Sequence, residues 1–297
     1  MSETQEIRIC GWNAAMVRFA QQPASIIRAY VSQGRVGPAS KLLKYMASQR
    51  LTYHVVEEDV LAKVSGSVHH EGIVLVARQA KIQGIAAFVG KLKEREARVG
   101  EREARVGERK ARVGERESAA GDAVADRNRQ PCLLVLDGVV NPHNLGAIAR
   151  VAAHFGAMGI LVLRDQSESA GGGSRDVLTP SGYRIAAGGA ETLIIAQENR
   201  DRAPELFQGL RGLGYDIVGT TSRAGTPSLY DAKFGGKVAF VLGSESTGLS
   251  REVTQAISRF VAIPGSGAVE SLNVACAAST ILGERWRRIS AQSQNLH

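Results

Sequence analysis

Three stretches of this 297-residue chain set polar side chains beside glycines just where an apolar run ends. LDGVVNPHNLGAIARVAAHFGA at residues 136–157 carries Asn144, Gly146 and Arg150, with Arg150 about one and a half helical turns beyond Asn144. FVLGSESTGLS at 240–250 follows Leu242 and Gly243 with Glu245 and reopens the chain at Gly248. IPGSGAVESLNVACAASTILGE runs from Ile263 through a permissive glycine turn to Ser271, Leu272 and Asn273. Two kinds of chemistry suit such residues. In one, Asn144 and Ser271 cap helices, Glu245 is a first-turn acid favoured by a helix dipole, and Arg150 is a solvated helix residue. In the other, glycine-rich backbone and a helix N-terminus hold a ligand.

Taken singly each stretch reads more readily as caps and solvated helix residues, and the surrounding elements leave a ligand crevice open. CLLVLDGV, GILVL, TLIIA, DIVGTT, VAFVLG and RFVAIP are short apolar runs that alternate with helical or loop segments from Pro131 onward. Fully apolar strands separated by helices predict a mostly parallel sheet covered on both faces. Each polar stretch begins at the carboxyl end of one of these strands, the usual ligand edge of an open α/β sheet. Pro264 cannot donate to a ladder and should end the last strand. Beyond it Val274, Ala275, Ala278, Ile281 and Leu282 recur at helical spacing, as do Leu145, Ile148, Val151, Ala152 and Phe155 after the first stretch.

Residues 6–80 read as a separate small α/β layer domain. IRICG, AYVS, YHVV and GIVLVAR are its strands, and WNAAMVRFAQQ, PASKLLKYMASQ and EEDVLAKVSG its helices. Residues 81–130 connect it to the rest. They contain EREARVG, EREARVG, ERKARVG and ERESAAG, heptads whose only apolar residues are Ala and Val and whose recurring Gly makes a poor coiled-coil seam. A charged, mostly solvated linker with fluctuating helix is expected there.

A net charge of +8 and a pI near 9.6 favour a polyanionic partner. Cys10, Cys132 and Cys276 form no metal or disulfide spacing, and His69 and His70 lack further ligands nearby, so no metal is expected. The N-terminus lacks the pattern of a secretory signal, and no apolar run nears the ~20 residues of a membrane helix, which together suggest the cytoplasm. Neither nucleotide fingerprint, G-x-x-x-x-G-K-[ST] or G-x-G-x-x-G after the first strand, is present, which disfavours a nicotinamide dehydrogenase. AGGGSR at 170–175 reads as a surface loop.

Taken together, NxGxxxR, GSExxGLS and IPxxGxxxSLNVAxAxxxxLGE resemble the SpoU (TrmH) family of S-adenosylmethionine-dependent RNA 2′-O-ribose methyltransferases, in the family's order and spacing over most of residues 131–287. ICGWNAAMVRF and VHHEGIVLVAR resemble the small ribosomal-protein-like RNA-binding domain that precedes it in several members, with Glu71 where Gln is usual. The resemblance implies a SPOUT trefoil-knot methyltransferase domain over residues 131–290, with S-adenosylmethionine held largely by main chain at Leu242, Gly243, Gly248, Ile263 and Leu272. It implies catalysis by Arg150, with Asn144, Glu245, Asn273 and Ser271 positioning it and the ribose. It also implies a homodimer, in which Arg150 could serve across the interface, and an RNA substrate, ribosomal RNA before transfer RNA. The basic RWRR run at 285–288 is either an RNA contact or an exposed helix end. The rival reading is an RNA-binding protein of the same fold that has lost methyl transfer.

Overall fold

The computed structural model of the chain describes residues 4–80, 84–113, 130–165 and 177–294. The final heptad and the AGGGSR run lie outside the described residues. The chain forms two compact units, one spanning Met1–Ile82 with Val140–Arg150 and Ser174–Leu193, the other Gln83–Val139 with Val151–Gly173 and Ile194–His297.

In the first unit, β1 (Thr4–Cys10), β2 (Ile26–Ser32), β3 (Thr52–Val56) and β4 (Ile73–Ala80) form a mixed sheet in the order β1-β4-β2-β3. β4 runs antiparallel to both neighbours, and β2 parallel to β3. All four strands fall where the apolar runs predict them, and so do α1 (Trp12–Gln21), α2 (Ser40–Ser48) and α3 (Glu58–Ser65). Acidic Glu58 and Asp59 open α3 and Gly66, in the left-handed region, closes it. On one sheet face Cys10 and Val74 pack with Leu61 of α3, flanked by Tyr30, Val56 and Val64. A buried ion pair at 2.8 Å joins Arg18 of α1 to Glu191.

Two further helices have residues in this unit, α5 (Pro142–His154) and α6 (Pro180–Ala186). They approach so closely that a Cβ on Gly146 would meet the Gly182 carbonyl oxygen at 2.6 Å and Ile185 at 2.9 Å. Gly146 is therefore a packing requirement. Leu145, Ile148 and Ala152 are buried, as the helical spacing predicts.

The second unit holds the predicted parallel sheet. β5 (Cys132–Asp137), β6 (Gly159–Arg164), β7 (Ile194–Asn199), β8 (Tyr215–Thr220), β9 (Lys237–Gly243) and β10 (Phe260–Val261) lie in the order β10-β8-β9-β5-β6-β7, every pair parallel. β5 is buried at every position, as strands covered on both faces must be. The strand sequence steps outward from β5 to β7, then resumes on the far side of β5. That reversal makes the β5–β9 junction a topological switch point, with Asp137 paired to Gly243 at its carboxyl edge. α4 (Ile85–Val113), α7 (Ala203–Gly212), α8 (Arg251–Gln255) and α9 (Val274–Gln294) are helices of this unit.

α4 (Ile85–Val113) is one continuous helix where an intermittently helical linker is expected. Its reason lies in tertiary partners that the heptads do not reveal. Ile85, Phe88 and Leu92, three and four residues apart, are buried. In the first heptad, Arg95 donates to the Met158 carbonyl at 3.0 Å, and the Glu96 carboxylate accepts from the Tyr215 hydroxyl at 2.8 Å and the Lys237 ammonium at 2.6 Å. Burial and the Glu96 charge together push the Tyr215 hydroxyl pKa upward, so it stays a donor.

Removing one partner of a half-buried ionic network leaves the others under-solvated. Glu96→Gln is therefore expected to lower unfolding stability by about 1–3 kcal/mol, read as a fall in the urea midpoint at unchanged slope. In α9, hydrogen bonds from Arg287 and Arg288 hold the Glu284 carboxyl down at about 2, against the opposing effect of burial. Because this folded value lies below the unfolded one, the pair stabilises above about pH 4.5 and its contribution is lost as pH falls towards 2. Glu284→Gln should flatten that acid limb of the pH–stability curve and leave its shape above pH 6 unchanged.

Candidate active site

The site in the second unit starts from Gly243, the last residue of β9. A Cβ there would overlap the main chain of Gly248 and Leu249, so only glycine permits the loop to fold back this closely. The fold-back is a reciprocal pair, Ser244 N–H to the Gly248 carbonyl at 3.1 Å and Gly248 N–H to the Ser244 carbonyl at 2.9 Å. Gly248 takes φ +66°, which side chains with a Cβ rarely adopt.

Asp137, fully buried at the carboxyl end of β5, fixes the far end of the same loop. Its Oδ2 accepts the Ser250 N–H at 2.6 Å, and its Oδ1 receives the Arg200 guanidinium at 2.8 Å. Ser250 in turn caps α8 through its hydroxyl, accepting from the Val253 N–H at 3.4 Å. Sequence reasoning passed over Asp137. The available signal was a lone acid ending the run CLLVL, because a carboxylate buried there must find donors.

Glu245 projects from the middle of the anchored loop and is exposed. Its Oε1 accepts from the Asn273 side-chain amide and from the Val274 N–H, the latter at 3.1 Å. Asn273 uses its own Oδ1 to accept the Ala275 N–H at 3.0 Å and the Cys276 N–H at 3.3 Å. One carboxylate and one amide thus satisfy three amides at the start of α9, and the negative charge sits at the positive end of a long helix. The structure therefore brings together Gly243, Glu245, Gly248 and Asn273.

Several alternatives offered by the sequence are decided here. The N-cap of α9 is Asn273 rather than Ser271, which is exposed and makes no hydrogen bond among the described residues. Asn141 caps α5 in place of Asn144, its Oδ1 accepting from the His143 N–H at 2.9 Å. Glu245 is not a first-turn acid of the next helix, since α8 opens only at Arg251. RWRR is mostly structural: Arg285 is buried, and Arg288 donates to the carbonyls of Leu229, Tyr230 and Ala232 and to Glu284. Arg287 alone of these three arginines keeps most of its side chain exposed. His70 is buried and its Nδ1 accepts the Gly72 N–H at 3.2 Å, a loop-organising role, and no group of metal-ligating side chains occurs among the described residues.

Of the other expected cofactor residues, Leu242 is buried within β9 and Ile263 is half-buried. From Val269 to Leu272 neither main chain nor side chain makes a hydrogen bond among the described residues, while Leu272 is 46% and Val269 73% exposed. Free amides and carbonyls next to exposed apolar side chains suit a ligand with a flat heteroaromatic ring and polar edges. Asn144, half-buried, and Arg150, exposed and without a hydrogen bond or ion pair among the described residues, belong to the first unit.

Comparison with known proteins bears on the family and the fold. Residues 131–283 match the SpoU rRNA Methylase family, and residues 8–83 match the domain described as RNA 2'-O ribose methyltransferase substrate binding. The chain belongs to the SpoU rRNA methylase family. It is 30% identical to the uncharacterized tRNA/rRNA methyltransferase YfiF of Escherichia coli O157:H7, over 97% of this chain and 70% of that one. It is also 30% identical to the 23S rRNA (guanosine-2'-O-)-methyltransferase RlmB of Nitrosomonas europaea, over 96% of this chain and 93% of that one. The fold matches the crystal structure of the SpoU methyltransferase AviRb from Streptomyces viridochromogenes in complex with the cofactor AdoMet, with a TM-score of 0.66 at 20% identity over 95% of this chain and 90% of that one. The expected family, α/β fold and two-part organisation all stand. No helix among the described residues is long and apolar enough to cross a membrane.

The anchored loop gives a direct prediction. Gly243→Ala must displace main chain rather than a flexible side chain, so it is expected to cost well over ~1 kcal/mol in stability, read as a fall in the urea midpoint. Asn273→Ala, losing a helix cap and the hydrogen bond to Glu245, should cost about 1–2 kcal/mol, and Asn273→Asp should recover little of it, because aspartate caps the helix but cannot donate to Glu245 and sets a second carboxylate beside it.

Proposed function

We propose that this chain transfers a methyl group from S-adenosylmethionine to a ribose 2′-hydroxyl of RNA, with ribosomal RNA the substrate class. The observation that carries the reading is the Glu245–Asn273 lock between the β9 loop and α9, which leaves the main chain of Val269 to Leu272 unpaired at the carboxyl edge of a parallel sheet. Residues 6–80 would bind substrate RNA and residues 131–290 would form the trefoil-knotted catalytic domain. RlmB-named relatives at about this similarity along nearly the whole chain support ribosomal RNA over transfer RNA.

The site would hold S-adenosylmethionine through the main chain of Leu242, Gly243, Gly248, Ile263 and Leu272, and when bound the cofactor supplies an electrophilic methyl on a sulfonium. The chain must then align the ribose oxygen for in-line displacement, which is mainly a matter of holding two partners at near-attack distance. As the new C–O bond forms and the old S–C bond breaks, the hydroxyl proton has to leave. A guanidinium stays protonated near neutral pH, so Arg150 cannot be the proton acceptor. Its role is to hold the neighbouring RNA phosphate and to stabilise negative charge developing on the 2′-oxygen, with the proton passing to phosphate or solvent. Asn144, Asn273 and Ser271 orient Arg150 and the ribose, and Glu245 acts through Asn273. In the homodimer we infer, Arg150 acts across the subunit interface.

Labelled methyl from S-adenosylmethionine, offered with protein-free ribosomal RNA and separately with total tRNA, tests the reading. Incorporation into ribosomal RNA as a 2′-O-methyl nucleotide, falling at least a hundredfold in Arg150→Ala with cofactor affinity retained, is the expected outcome. Cofactor binding without incorporation into either RNA would instead support an RNA-binding protein that has lost methyl transfer.

A further inference from the structure

The sheet of the first unit has one face only partly covered. On that face α3 packs over the Cys10–Val74–Tyr30 row. Further along the strands the face stays polar and open. The register sets Arg8 of β1, Val76 of β4 and Arg28 of β2 side by side in one row, with Arg78 two residues beyond Val76 on β4. Arg8 and Arg78 are exposed and Arg28 half-exposed. Strand spacing sets Arg8 and Arg28 about 10 Å apart.

Local structure maintains this arrangement. A bulge between Ile26 and Arg28 shifts the register of β2, so that Ile26 pairs with Ala77 and is buried while Arg28 pairs with Val76 on the open face. Arg28 donates to the Tyr30 hydroxyl at 3.3 Å. The Tyr30 ring is stacked on His54, centroids 5.2 Å apart, and His54 is exposed on β3, the edge strand. Glu6 is the one carboxylate among the strand residues of this face, and neither Arg8 nor Arg78 forms an ion pair among the described residues. Glu6 lies opposite Arg78 in the register and its charge also acts on Arg28, so one carboxylate faces three arginines, and the surplus positive charge on this open surface favours an anionic ligand.

We infer that this open sheet face is an RNA-binding surface, in which Arg8, Arg28 and Arg78 grip successive phosphates of a strand and His54, backed by Tyr30, stacks a base. Charge complementarity selects the occupant: the chain as a whole carries +8, and an arginine cluster beside an exposed ring suits single-stranded RNA. The inference rests on the methyl-transfer reading only for the class of RNA, and it assigns the contact to a strand face and named side chains.

The test uses the full chain and protein-free ribosomal RNA, with affinity measured by filter binding over a series of salt concentrations. Each lost phosphate contact lowers the slope of log K against log salt by about 0.7 for single-stranded RNA, so Arg8→Gln/Arg28→Gln/Arg78→Gln should lower it by about 2 and weaken binding at least tenfold at low salt. Each single substitution should lower it by about one contact. His54→Ala should weaken binding several-fold without changing the slope, and His54→Phe should restore it. Thermal unfolding and S-adenosylmethionine affinity should match the parent in every variant. An unchanged slope and affinity in the triple variant would overturn the inference. So would concentration-dependent self-association through β3, abolished by Val55→Lys, if the triple variant kept the parent's salt slope. A parent chain that transfers no methyl yet loses slope in the triple variant would reject the enzymatic reading and uphold the surface.

Discussion

A single carboxylate organises the catalytic half of the molecule. Glu245 accepts hydrogen bonds from the Asn273 side chain and from the first amide of α9, and in doing so ties the loop after β9 to a helix that begins 29 positions later at Val274. The tie works only because the loop is itself rigid. Gly243 lets it fold back on Gly248, and Asp137 holds its far end through the Ser250 amide. With the loop and helix joined, the intervening chain from Val269 to Leu272 makes no main-chain hydrogen bond among the described residues. Unpaired amides cost little while they face water, and they bind well once a ligand displaces that water.

The parallel sheet supplies the frame on which this lock can act. Reversal of strand order at β5 brings Asp137 beside Gly243, so the residue that anchors the loop and the residue that starts it sit on adjacent strand ends. Burying Asp137 would be costly without donors, and Arg200 and Ser250 provide them. α4 stabilises the same sheet from elsewhere, its Glu96 reaching Tyr215 at the start of β8 and Lys237 at the start of β9. The Glu96 contacts thus sit at the amino ends of β8 and β9, and the Asp137–Arg200 ion pair at the carboxyl edge of the sheet.

Much of this was legible in the sequence because it follows from local pattern. Each strand of both sheets answers to an apolar run, and Gly243, Glu245 and Asn273 stood out as polar or glycine positions at strand ends. What was hidden depends on partners distant in the chain. Glu96 lies in a repeat that is polar by composition, and only the fold shows that Tyr215 and Lys237, over a hundred residues away, make that part of the helix stable. The choice of Asn273 over Ser271 as cap turned on where the first helical amide falls, which apolar periodicity locates only to within a residue or two. RWRR read equally as an RNA contact or an exposed helix end because charge is visible in a sequence, whereas the carbonyls of 229–232 that engage Arg288 are not.

Amide hydrogen exchange on Val269 to Leu272, with and without saturating S-adenosylmethionine, tests most directly whether the suspended segment is the cofactor's binding surface. The lock between Glu245 and Asn273 predicts fast exchange in the free protein and strong protection at these amides in the complex, lost in Glu245→Gln at the same cofactor concentration. Exchange that is unchanged by bound cofactor at these four residues would contradict the account.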